Sequence, residues 1–519
     1  MKKMLKVVSL ILACVLSMSA LAGCGKKEEA DSNEGFSVTF GEPGTNRDQE
    51  AAAETLERWQ SYSEVPIEWD FLGSESKQEL QLRFAGSDFP QVILGNYLQA
   101  TDVSKYASMG ILVPLDEYIN EKDTPNLYKL FKDYPKTEAA NKLPDGHMYS
   151  LPQFVELEEQ YLETALFINK TWLDKLGLEI PKTLDDLYEV LKAFKTEDPN
   201  GNGQADEIPM SFAEGSGFSY PEALLSCFGI SAKHGVFDGF TSVKNGKVSF
   251  APMTDEWKEM IKFYNKLYSE GLLDMECFTH NYNQFLAKLA SPESKVGFVW
   301  SSTNPMLNAD EYVAIEPIYA EGYEACWHMN PGIIGSRNLF SITTNCKNPK
   351  AAMKWIDKFY SAEASLQNLY GAVGRTFTVD DSGKYIFNEP AEGESLSTMF
   401  TKNTVIAGPA AIYADMIGTV VEQNDMWKEK AEIYKLYKDQ TDQENWPRPY
   451  YSVDESNRFS ELSTDIFSYV NEKKAKWIIG KDDVESDWDE YMAHLEKLGI
   501  KEMMKINQDA FDRYSENIK

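Results

Sequence analysis

The segment from residue 37 to residue 94 decides the fold class of this 519-residue chain. Three runs in it are short and apolar, as strands are: SVTF (37–40), IEWDFL (67–72) and PQVIL (90–94). Residues 48–60 and 75–84, which lie between these runs, place apolar side chains at helical spacing. The order β-α-β-α-β favours a parallel sheet with helices on both faces.

Two loops in this segment are candidates for ligand contact. They follow the first and third strands and run from Gly41 to Arg47 and from Gly95 to Gln99. Because ligands of open α/β sheets bind outside the carboxyl ends of the strands, we expect both loops to face a ligand.

Later segments carry clear signals for helices. The helix predicted over residues 169–176 is stopped by Gly177. The next helix begins after Thr183, an N-cap residue with Asp186 three positions on. Residues 456–514 are predicted to be mostly helical, and the absence of a fixed-period repeat argues against solenoids and propellers.

The composition excludes several classes of protein. Charged residues make up 26% of the chain, which is the level of a globular protein and not of a disordered one. The formal net charge of -31 argues against nucleic acid as a partner, because phosphate backbones need a basic surface. It argues equally against a polybasic patch for anionic lipid.

Residues 1–23 are expected to be a lipoprotein signal peptide. Three lysines precede an apolar run over residues 7–21, and the sequence LAGC (21–24) then resembles a bacterial lipobox. In that motif the thiol of the cysteine, here Cys24, receives diacylglycerol and the chain is cut just before it. The alternative is an uncleaved membrane anchor, which the short apolar run disfavours.

Cleavage at this position would change the net charge of the protein and would leave Cys24 to carry its membrane anchor. The mature charge becomes -34, because three lysines leave with the signal. Two acyl chains on Cys24 would hold the protein stably on the extracellular face of the cell membrane. Residues 24–35 are polar and are expected to be a tether.

The stretch DPNGNGQADE (198–207) carries the most specific site chemistry. Oxygen side chains fall at positions 1, 3, 5 and 9, with glycine at position 6, as in an EF-hand loop. Position 12 holds Pro209 instead of a bidentate glutamate, so the glutamate at position 10 is the nearest substitute. We predict a structural calcium site, and a plain Asn/Gly-rich turn is the alternative. The candidate ligands are Asp198, Asn200, Asn202, Gln204, Asp206 and Glu207.

Catalytic residues are not predicted. The chain has 5 histidines and contains no H-E-x-x-H, G-x-S-x-G or G-x-x-x-x-G-K-[ST] motif. Carboxylate pairs such as Glu158-Glu159 are common in so acidic a chain, so none of them identifies a glycosidase pair.

Two tryptophans and two arginines are candidates for contact with a sugar. Trp300 ends an apolar strand, and Trp327 stands just before an Asn-Pro-Gly turn. Arg47 follows the first strand and Arg375 follows a glycine-containing segment, and a guanidinium can fork onto hydroxyls or carboxylates. The sequence leaves open the alternatives, which are core positions for the tryptophans and surface ion pairs for the arginines.

Four cysteines of the mature chain lack a metal or redox pattern. Cys227, Cys277, Cys326 and Cys346 show no C-x-x-C spacing, so zinc and redox motifs are unsupported. A disulfide such as Cys326–Cys346 and buried thiols are equal alternatives at this stage.

Several segments resemble the extracellular solute-binding proteins of family 1. In the first half they are FAGSDFPQVI (84–93), GILVPLDEYI (110–119), GHMYSLP (146–152) and the segment from FINK to PKT (167–183). In the last third, residues 455–456 and 469–481 resemble the lipoprotein subgroup akin to the alginate-binding proteins. The loop over residues 198–209 is similar to the calcium-binding loop of that subgroup. The resemblance spans essentially the whole mature chain.

The resemblance implies an α/β, two-lobe fold of the periplasmic-binding-protein type (type II), with a hinge between the lobes. The crossover pattern of the family would place residues 36–152 and 333–370 in the N-lobe. Residues 153–332 and 371–519 would form the C-lobe, which would include the calcium loop.

The resemblance also implies a ligand between the lobes. The residues expected near it are placed by segment and not by a strict motif. They are Asn46, Arg47, Asn96, Gln153, Trp300, Trp327 and Arg375.

The function implied is that of a lipid-anchored, monomeric receptor that delivers an oligosaccharide to the permease subunits of an ABC importer. The abundance of aromatic residues favours a carbohydrate over a peptide, and the acidic balance favours a neutral sugar over a uronate polymer. Two other classes are kept as alternatives: a surface glycosidase or lyase, and a surface lipoprotein without a transport role.

Overall fold

The computed structural model describes residues 34–44, 46–86, 88–157, 162, 164–214, 219–231, 239–291, 295–301, 311–327, 336–392, 394–406, 408–441, 444 and 446–518. The predicted signal peptide (1–23), the lipidation site Cys24 and most of the predicted tether (24–35) lie outside these residues. Within the described ranges, every helix is too short or too polar to span a membrane.

The strands are numbered in chain order. They are β1 (Phe36–Gly41), β2 (Ile67–Leu72), β3 (Val92–Leu94), β4 (Leu151–Val155), β5 (Ala165–Asn169), β6 (Ile208–Met210), β7 (Thr241–Lys244), β8 (Lys247–Phe250), β9 (Val296–Ser301), β10 (Tyr312–Ile315), β11 (Ser336–Ile342), β12 (Phe377–Val379), β13 (Tyr385–Phe387) and β14 (Ala410–Ile412).

The α-helices are numbered in the same way. They are α1 (Gln49–Ser61), α2 (Ser76–Ala85), α3 (Ala100–Ser108), α4 (Pro125–Asp133), α5 (Pro135–Asn141), α6 (Lys170–Leu176), α7 (Leu184–Thr196), α8 (Asp255–Ser269), α9 (Tyr282–Leu289), α10 (Pro349–Asp357), α11 (Ala362–Tyr370), α12 (Leu396–Asn403), α13 (Asp425–Tyr437), α14 (Val453–Ile478), α15 (Val484–Lys497) and α16 (Ile500–Ile518). Short 3-10 helices, such as Pro221–Phe228, occur between them.

The first sheet has six strands in the order β14-β4-β11-β3-β1-β2. Strand β1 pairs in parallel with β2 and β3, so that Val38 lies opposite both Trp69 and Val92. Strand β11 runs antiparallel between β3 and β4, and β14 runs parallel to β4. The β-α-β-α-β unit predicted over residues 37–94 is confirmed.

Both faces of the first sheet are buried, as the alternation along β3 shows. Val92 and Leu94 pack in one hydrophobic cluster together with α1, α4 and α10. Ile93, which points to the other face, packs in a second cluster with α2 and α3. Helices therefore cover the sheet on both sides, as expected for mostly parallel strands.

The second sheet has four strands in the order β10-β5-β9-β6. Strand β5 is antiparallel to its neighbours β9 and β10, and β6 is parallel to β9. All residues of β5 and β9 are buried, in a core that helices from α6 to α9 and from α14 to α16 complete. The predicted α/β class is confirmed, with two large separate sheets and two two-stranded ones, β7-β8 and β12-β13.

Two local signals of the second sheet region are also confirmed. Gly177 ends α6 in the left-handed conformation at φ 67°, which glycine adopts without a steric penalty. Thr183 and Asp186 form a reciprocal capping box at the start of α7, with both N–H···O distances at 3.0 Å.

One segment departs from the expected division into lobes. We expected residues 371–519 to belong wholly to the C-lobe. Strand β14 instead pairs with β4 of the first sheet, and Phe377 and Trp427 pack in one cluster with Val155. The sequence did not reveal this pairing, because a three-residue strand whose partner lies far along the chain leaves no local pattern.

We predict that Trp355→Ala, on α10, destabilises the protein by about 3–5 kcal/mol. The Trp355 ring is fully buried between Phe36 and Phe359, and its Nε1–H donates to the carbonyl of Trp59 at 2.8 Å. Urea unfolding would measure the loss. Leu82→Ala is the control, since Leu82 is 74% exposed, and equal unfolding midpoints for the two variants would contradict this account of the core.

Candidate functional site

The predicted calcium loop lies between the end of α7 and the start of β6. The carboxylate of Asp198 accepts hydrogen bonds from the backbone N–H groups of Gly201 at 2.9 Å and Gly203 at 3.1 Å. The side-chain oxygen of Asn200 accepts from the N–H of Asn202 at 3.0 Å. These bonds turn the oxygen side chains towards the inside of the loop, and glycines at φ 75° and 73° permit the tight path.

The acidic end of the loop closes it. Asp206 accepts from the side-chain amides of Asn200 at 3.2 Å and Asn202 at 3.0 Å. Its other oxygen accepts from the ammonium of Lys295 at 2.8 Å. The Lys295 hydrogen bond, followed by that of Asn202, lowers the pKa of Asp206 to about 2, so this carboxylate is ionised at neutral pH.

Glu207 gives the most direct indication of a cation. Its side chain is buried, and Oε1 has no hydrogen-bond partner among the described residues. Burial raises the pKa of the Glu207 carboxyl, and the charges of Asp198 and Asp206 add to that effect. A buried carboxylate beside two others needs a counter-charge, so the donor set fits a hard divalent cation.

The structure brings the predicted metal ligands together in one loop. Asn200, Asn202 and Asp206 are linked by the hydrogen bonds above, Asp198 holds the backbone of the same loop, and the N–H of Gln204 donates to Asn202 at 2.7 Å. The metal assignment itself stays a prediction.

A second acidic cluster, formed by Asp274, Glu276 and His280, has geometry close to that of a metal site. The ammonium of Lys288 already lies at its centre, 2.7 Å from Asp274, 2.8 Å from Glu276 and 3.1 Å from Nδ1 of His280. Nε2 of His280 donates to the carbonyl of Phe212 at 2.8 Å. Because a lysine supplies the positive charge, this cluster is an internal ion-pair network.

A triad of charged residues lies beyond the carboxyl end of β6, and we name Glu214, Glu222 and Lys474 the carboxylate triad. Glu222 and Lys474 are buried, whereas Glu214 is partly exposed. The Lys474 ammonium, which is 2% exposed, donates to Glu222 at 2.5 Å and to Glu214 at 3.0 Å. Burial alone would lower the pKa of Lys474, but the charges of Glu222 and Glu214 outweigh it and raise that pKa. The second carboxylate oxygen of each glutamate has no hydrogen-bond partner among the described residues.

The carboxylate triad therefore offers acceptors at the place where an α/β sheet binds its ligand. Two carboxyl groups share one ammonium, and the second oxygen of each is enclosed by protein. Such oxygens can each accept a hydrogen bond from a ligand hydroxyl only where the site opens to admit the ligand. Sequence reasoning missed this triad.

One signal in the sequence could have revealed the carboxylate triad. Ile466, Val470, Lys474 and Ile478 recur every four residues along α14, so Lys474 occupies a position on the apolar face of the helix. A lysine at such a position requires a buried anionic partner.

The predicted tryptophans lie in the core of the second sheet. Trp300 is fully buried, stacks on Phe212 with centroids 6.0 Å apart and contacts Tyr264. Trp327 is 1% exposed, and its Nε1–H donates to the carbonyl of Thr164 at 2.6 Å. Their burial favours the alternative of core positions, and a contact of Trp300 or Trp327 with a ligand stays a prediction.

Arg375 forms the ion pairs that the sequence left open as its alternative. Its guanidinium forks onto Glu54 at 2.7 and 2.9 Å and lies 3.1 Å from Glu50 and 3.5 Å from Asp48. These contacts favour the surface ion pair for Arg375, and its contact with a ligand stays a prediction.

Arg47 is held by the end of α12. Its Nη1 donates to the carbonyls of Thr401 at 3.0 Å and Thr404 at 2.5 Å, and to the Thr404 hydroxyl at 2.8 Å. The guanidinium thereby satisfies carbonyls at the carboxyl end of a helix, which fixes the loop that follows β1.

The other predicted residues of the first sheet are more accessible. Asn46 and Asn96 are exposed in the loops that follow β1 and β3. Gln153 is half-buried on β4, and its amide donates to the carbonyl of Gly408 at 3.5 Å. The hydroxyl of Tyr97 accepts from the N–H of Gly41 at 2.7 Å and joins the two loops. A role for Asn46, Asn96 and Gln153 in ligand contact stays a prediction.

Comparisons with known proteins agree with the fold described above. Residues 43–365 match the family described as bacterial extracellular solute-binding protein. The fructooligosaccharide ABC transporter substrate-binding protein FusA of Streptococcus pneumoniae serotype 4 is 31% identical, over 96% of this chain and 97% of FusA. The lipoprotein LipO of Bacillus subtilis is 28% identical over 51% of each chain.

Solved structures extend the likeness to the fold. FusA in complex with kestose superposes with a TM-score of 0.80 at 30% identity, covering 93% of this chain and 100% of FusA. An EF-hand mutant of FusA in complex with fructo-nystose gives a TM-score of 0.79. The HMO-binding solute-binding protein of Bifidobacterium longum infantis gives 0.82 at 28% identity, covering 93% of this chain and 99% of that protein.

We predict that Lys474→Met destabilises the protein by about 3–5 kcal/mol, because it leaves two carboxylates buried without their counter-charge. Adding Glu222→Gln should recover part of the loss, since it removes one of the two charges. Urea unfolding of the single and double variants measures both effects. Lys476→Met, two residues further along α14 on an exposed side chain, is the matched control and should change little. A Lys474→Met protein as stable as this control would contradict the triad.

Proposed function

The chain belongs to the bacterial extracellular solute-binding protein family, and from that premise we propose that it is the oligosaccharide receptor of an ABC importer. Proteins of this family bind a solute and are not enzymes, so the glycosidase or lyase alternative is set aside. The full-length likeness to an ABC transporter substrate-binding protein favours a transport role over that of a surface lipoprotein without one.

The carboxylate triad is the observation that carries the choice of ligand. Among the described residues, one enclosed oxygen of Glu214 and one of Glu222 have no hydrogen-bond partner, and both belong to this group beyond the carboxyl end of β6. The loops after β1 and β3, which expose Asn46 and Asn96, belong to the first sheet. We propose that a ligand rich in hydroxyls lies between these two sets of groups, since hydroxyls donate to carboxylates and to amide oxygens.

A neutral oligosaccharide suits this site better than a uronate. The arginines expected to face a ligand, Arg47 and Arg375, are occupied by helix carbonyls and by acidic side chains. The triad and the overall charge would repel an anionic sugar. Kestose and fructo-nystose, bound by the relative FusA, are neutral sugars of this kind.

We propose that a structural calcium ion occupies the loop over residues 198–207. Its ligands would be side-chain oxygens of Asp198, Asn200, Asn202, Asp206 and Glu207, with Gln204 at the position that supplies a backbone carbonyl. The orphaned oxygen of Glu207 supports this set. The relative FusA also has an EF-hand.

We propose further that Cys24 carries the lipid that anchors the protein to the extracellular face of the membrane, where it works as a monomer with its permease. The likeness to LipO supports the lipoprotein part of this proposal. For the lobes, the pairing of β14 leads us to revise the division: residues 36–155 and 336–427 form the first lobe, together with the segment around Tyr450, and residues 164–327, 433–441 and 453–518 form the second.

Titration calorimetry on the full chain tests the ligand class. We predict heat of binding with kestose or nystose and none with trigalacturonate or a tripeptide. Glu214→Gln should weaken sugar binding by roughly tenfold or more, because a hydrogen bond to a charged group is lost. Glu321→Gln, an exposed change, is the control. Binding of peptides or uronates, with no binding of neutral sugars, would contradict the proposed ligand class.

Calcium removal tests the metal proposal independently of any sugar. Chelation should lower the melting temperature, because a cation at 100 times its dissociation constant stabilises the fold by about 2.7 kcal/mol. Asp198→Ala should lower the melting temperature to the same extent and abolish the effect of chelation. Asp381→Ala, in an exposed turn, should keep that effect. A melting curve that neither chelation nor Asp198→Ala changes would refute the site.

A further inference from the structure

Three lysines of the described chain contact the predicted calcium loop, each from a different element. Lys175 lies in the last turn of α6, Lys195 lies in the last turn of α7, and Lys295 directly precedes β9. The loop itself carries three carboxyl groups, on Asp198, Asp206 and Glu207. In a chain with 82 acidic and 51 basic residues, such a group of lysines at one loop calls for an explanation.

The position of Lys295 is set by the pairing of the second sheet. Ile208, at the start of β6, lies opposite Val296 of β9, and its N–H donates to the carbonyl of Lys295 at 2.8 Å. The Lys295 side chain therefore begins beside the end of the loop, and its ammonium lies 2.8 Å from the carboxylate of Asp206. The two side chains are 33% and 25% exposed. A pair that is fixed at the backbone and only partly solvated stabilises more than a loose surface pair.

Lys175 holds the other end of the loop. Its ammonium donates to the carbonyls of Asp198 at 3.2 Å and Pro199 at 3.0 Å. Asp198 has φ of 47°, in the left-handed region, which a residue other than glycine keeps only where its surroundings hold it. A Cβ on Gly201 would collide with the same ammonium, so the glycine leaves the space that Lys175 occupies.

Lys195 makes the weakest of the three contacts. Its ammonium lies 3.5 Å from the carbonyl of Glu207, at the outer limit of a hydrogen bond. Burial raises the pKa of the Glu207 carboxyl, and the charge of Lys195 opposes that effect. Lys175 and Lys295 are therefore the two lysines that hold the loop.

Calcium and Lys295 would share one carboxylate. Asp206 is at position 9 of the predicted site, and one of its oxygens accepts from Lys295. The side-chain amides of Asn200 and Asn202 donate to its other oxygen, at 3.2 and 3.0 Å. An ammonium and a divalent cation beside one carboxylate repel each other, so each weakens the binding of the other.

We propose that Lys295, together with Lys175, is a built-in counter-charge that keeps the calcium loop folded when the metal is removed and limits the affinity of the loop for calcium. The limit on calcium affinity rests on the proposed metal site, but the hold of Lys295 on the metal-free loop does not. Lys175 and Lys295 are positioning residues, since neither is a metal ligand.

Lys295→Met tests the counter-charge, because methionine keeps most of the length of the side chain and removes the ammonium. Lys384→Met is the matched control. Lys384 precedes β13, is 25% exposed and pairs with Glu422 at 3.2 Å, and its loss changes the net charge of the chain by the same amount.

Two measurements on the full chain separate the two parts of the proposal. Hydrogen exchange measured by mass spectrometry, in EDTA, reports on the loop, because the N–H groups of residues 201–204 are bonded within it. Calorimetry with calcium chloride measures the dissociation constant for the metal.

In EDTA, we expect faster exchange across residues 198–207 in Lys295→Met than in the wild-type protein or Lys384→Met. Excess calcium should remove this difference, because the metal then supplies the positive charge. The calcium dissociation constant should fall roughly three- to tenfold in Lys295→Met, since a unit charge no longer repels the divalent ion, and should not change in Lys384→Met. Lys295→Arg, which keeps the charge, should resemble the wild-type protein in EDTA.

Equal exchange across residues 198–207 in Lys295→Met and Lys384→Met, both in EDTA, would overturn the proposal. Weaker calcium binding by Lys295→Met would also overturn it, because Lys295 would then assist the metal. If calcium binds neither the wild-type protein nor the variant, the proposed metal site fails, while the comparison in EDTA still decides whether Lys295 holds the loop.

A second variant covers the case in which Lys295→Met does not fold. The Lys175 side chain is exposed, so Lys175→Met leaves the core intact and removes the bonds to the carbonyls of Asp198 and Pro199. It should also speed exchange across residues 198–207 in EDTA relative to Lys384→Met. Exchange equal to that of the control would count against the proposal in the same way.

Discussion

The antiparallel insertion of β11 between β3 and β4 is the constraint on which the rest of the structure depends. Strand β11 follows β5 to β10 along the chain, and those strands belong to other sheets. The first sheet is therefore completed by a strand from beyond the second sheet, and the chain must cross between them more than once. These crossings bring the register shift at Asn338, the segment around Tyr450 and the start of α14 together at one place.

The same topology determines where groups that bind a ligand can lie. The loops after β1 and β3 expose Asn46 and Asn96, and Glu214 of the carboxylate triad follows β6. Glu222 and Lys474 join it from a 3-10 helix and from α14. The triad lowers stability, since two carboxyl groups, one of them fully buried, share one ammonium. The proposed recognition of a solute supplies a reason for keeping such a group beside the hydrophobic core of the second sheet. The predicted calcium loop lies at the opposite end of β6, which agrees with a structural role.

Local patterns in the sequence predicted much of the fold. Strands β1 to β3 and the caps of α6 and α7 follow from apolar spacing and from single residues such as Gly177. The predictions that failed concern residues whose partners lie far away along the chain. Arg375 pairs with Glu54, 321 positions away, and a tryptophan at the end of an apolar strand has the same pattern whether it faces a core or a ligand. The burial of Lys474 could have been predicted from its place on the apolar face of α14.

Hydrogen exchange measured by mass spectrometry, with and without a neutral oligosaccharide such as nystose, tests the central claim most directly. The account predicts slower exchange in the loops after β1, β3 and β6 when the sugar is bound, at constant calcium, with the sugar recovered unchanged. Protection limited to the outer helices, or cleavage of the sugar, would contradict it.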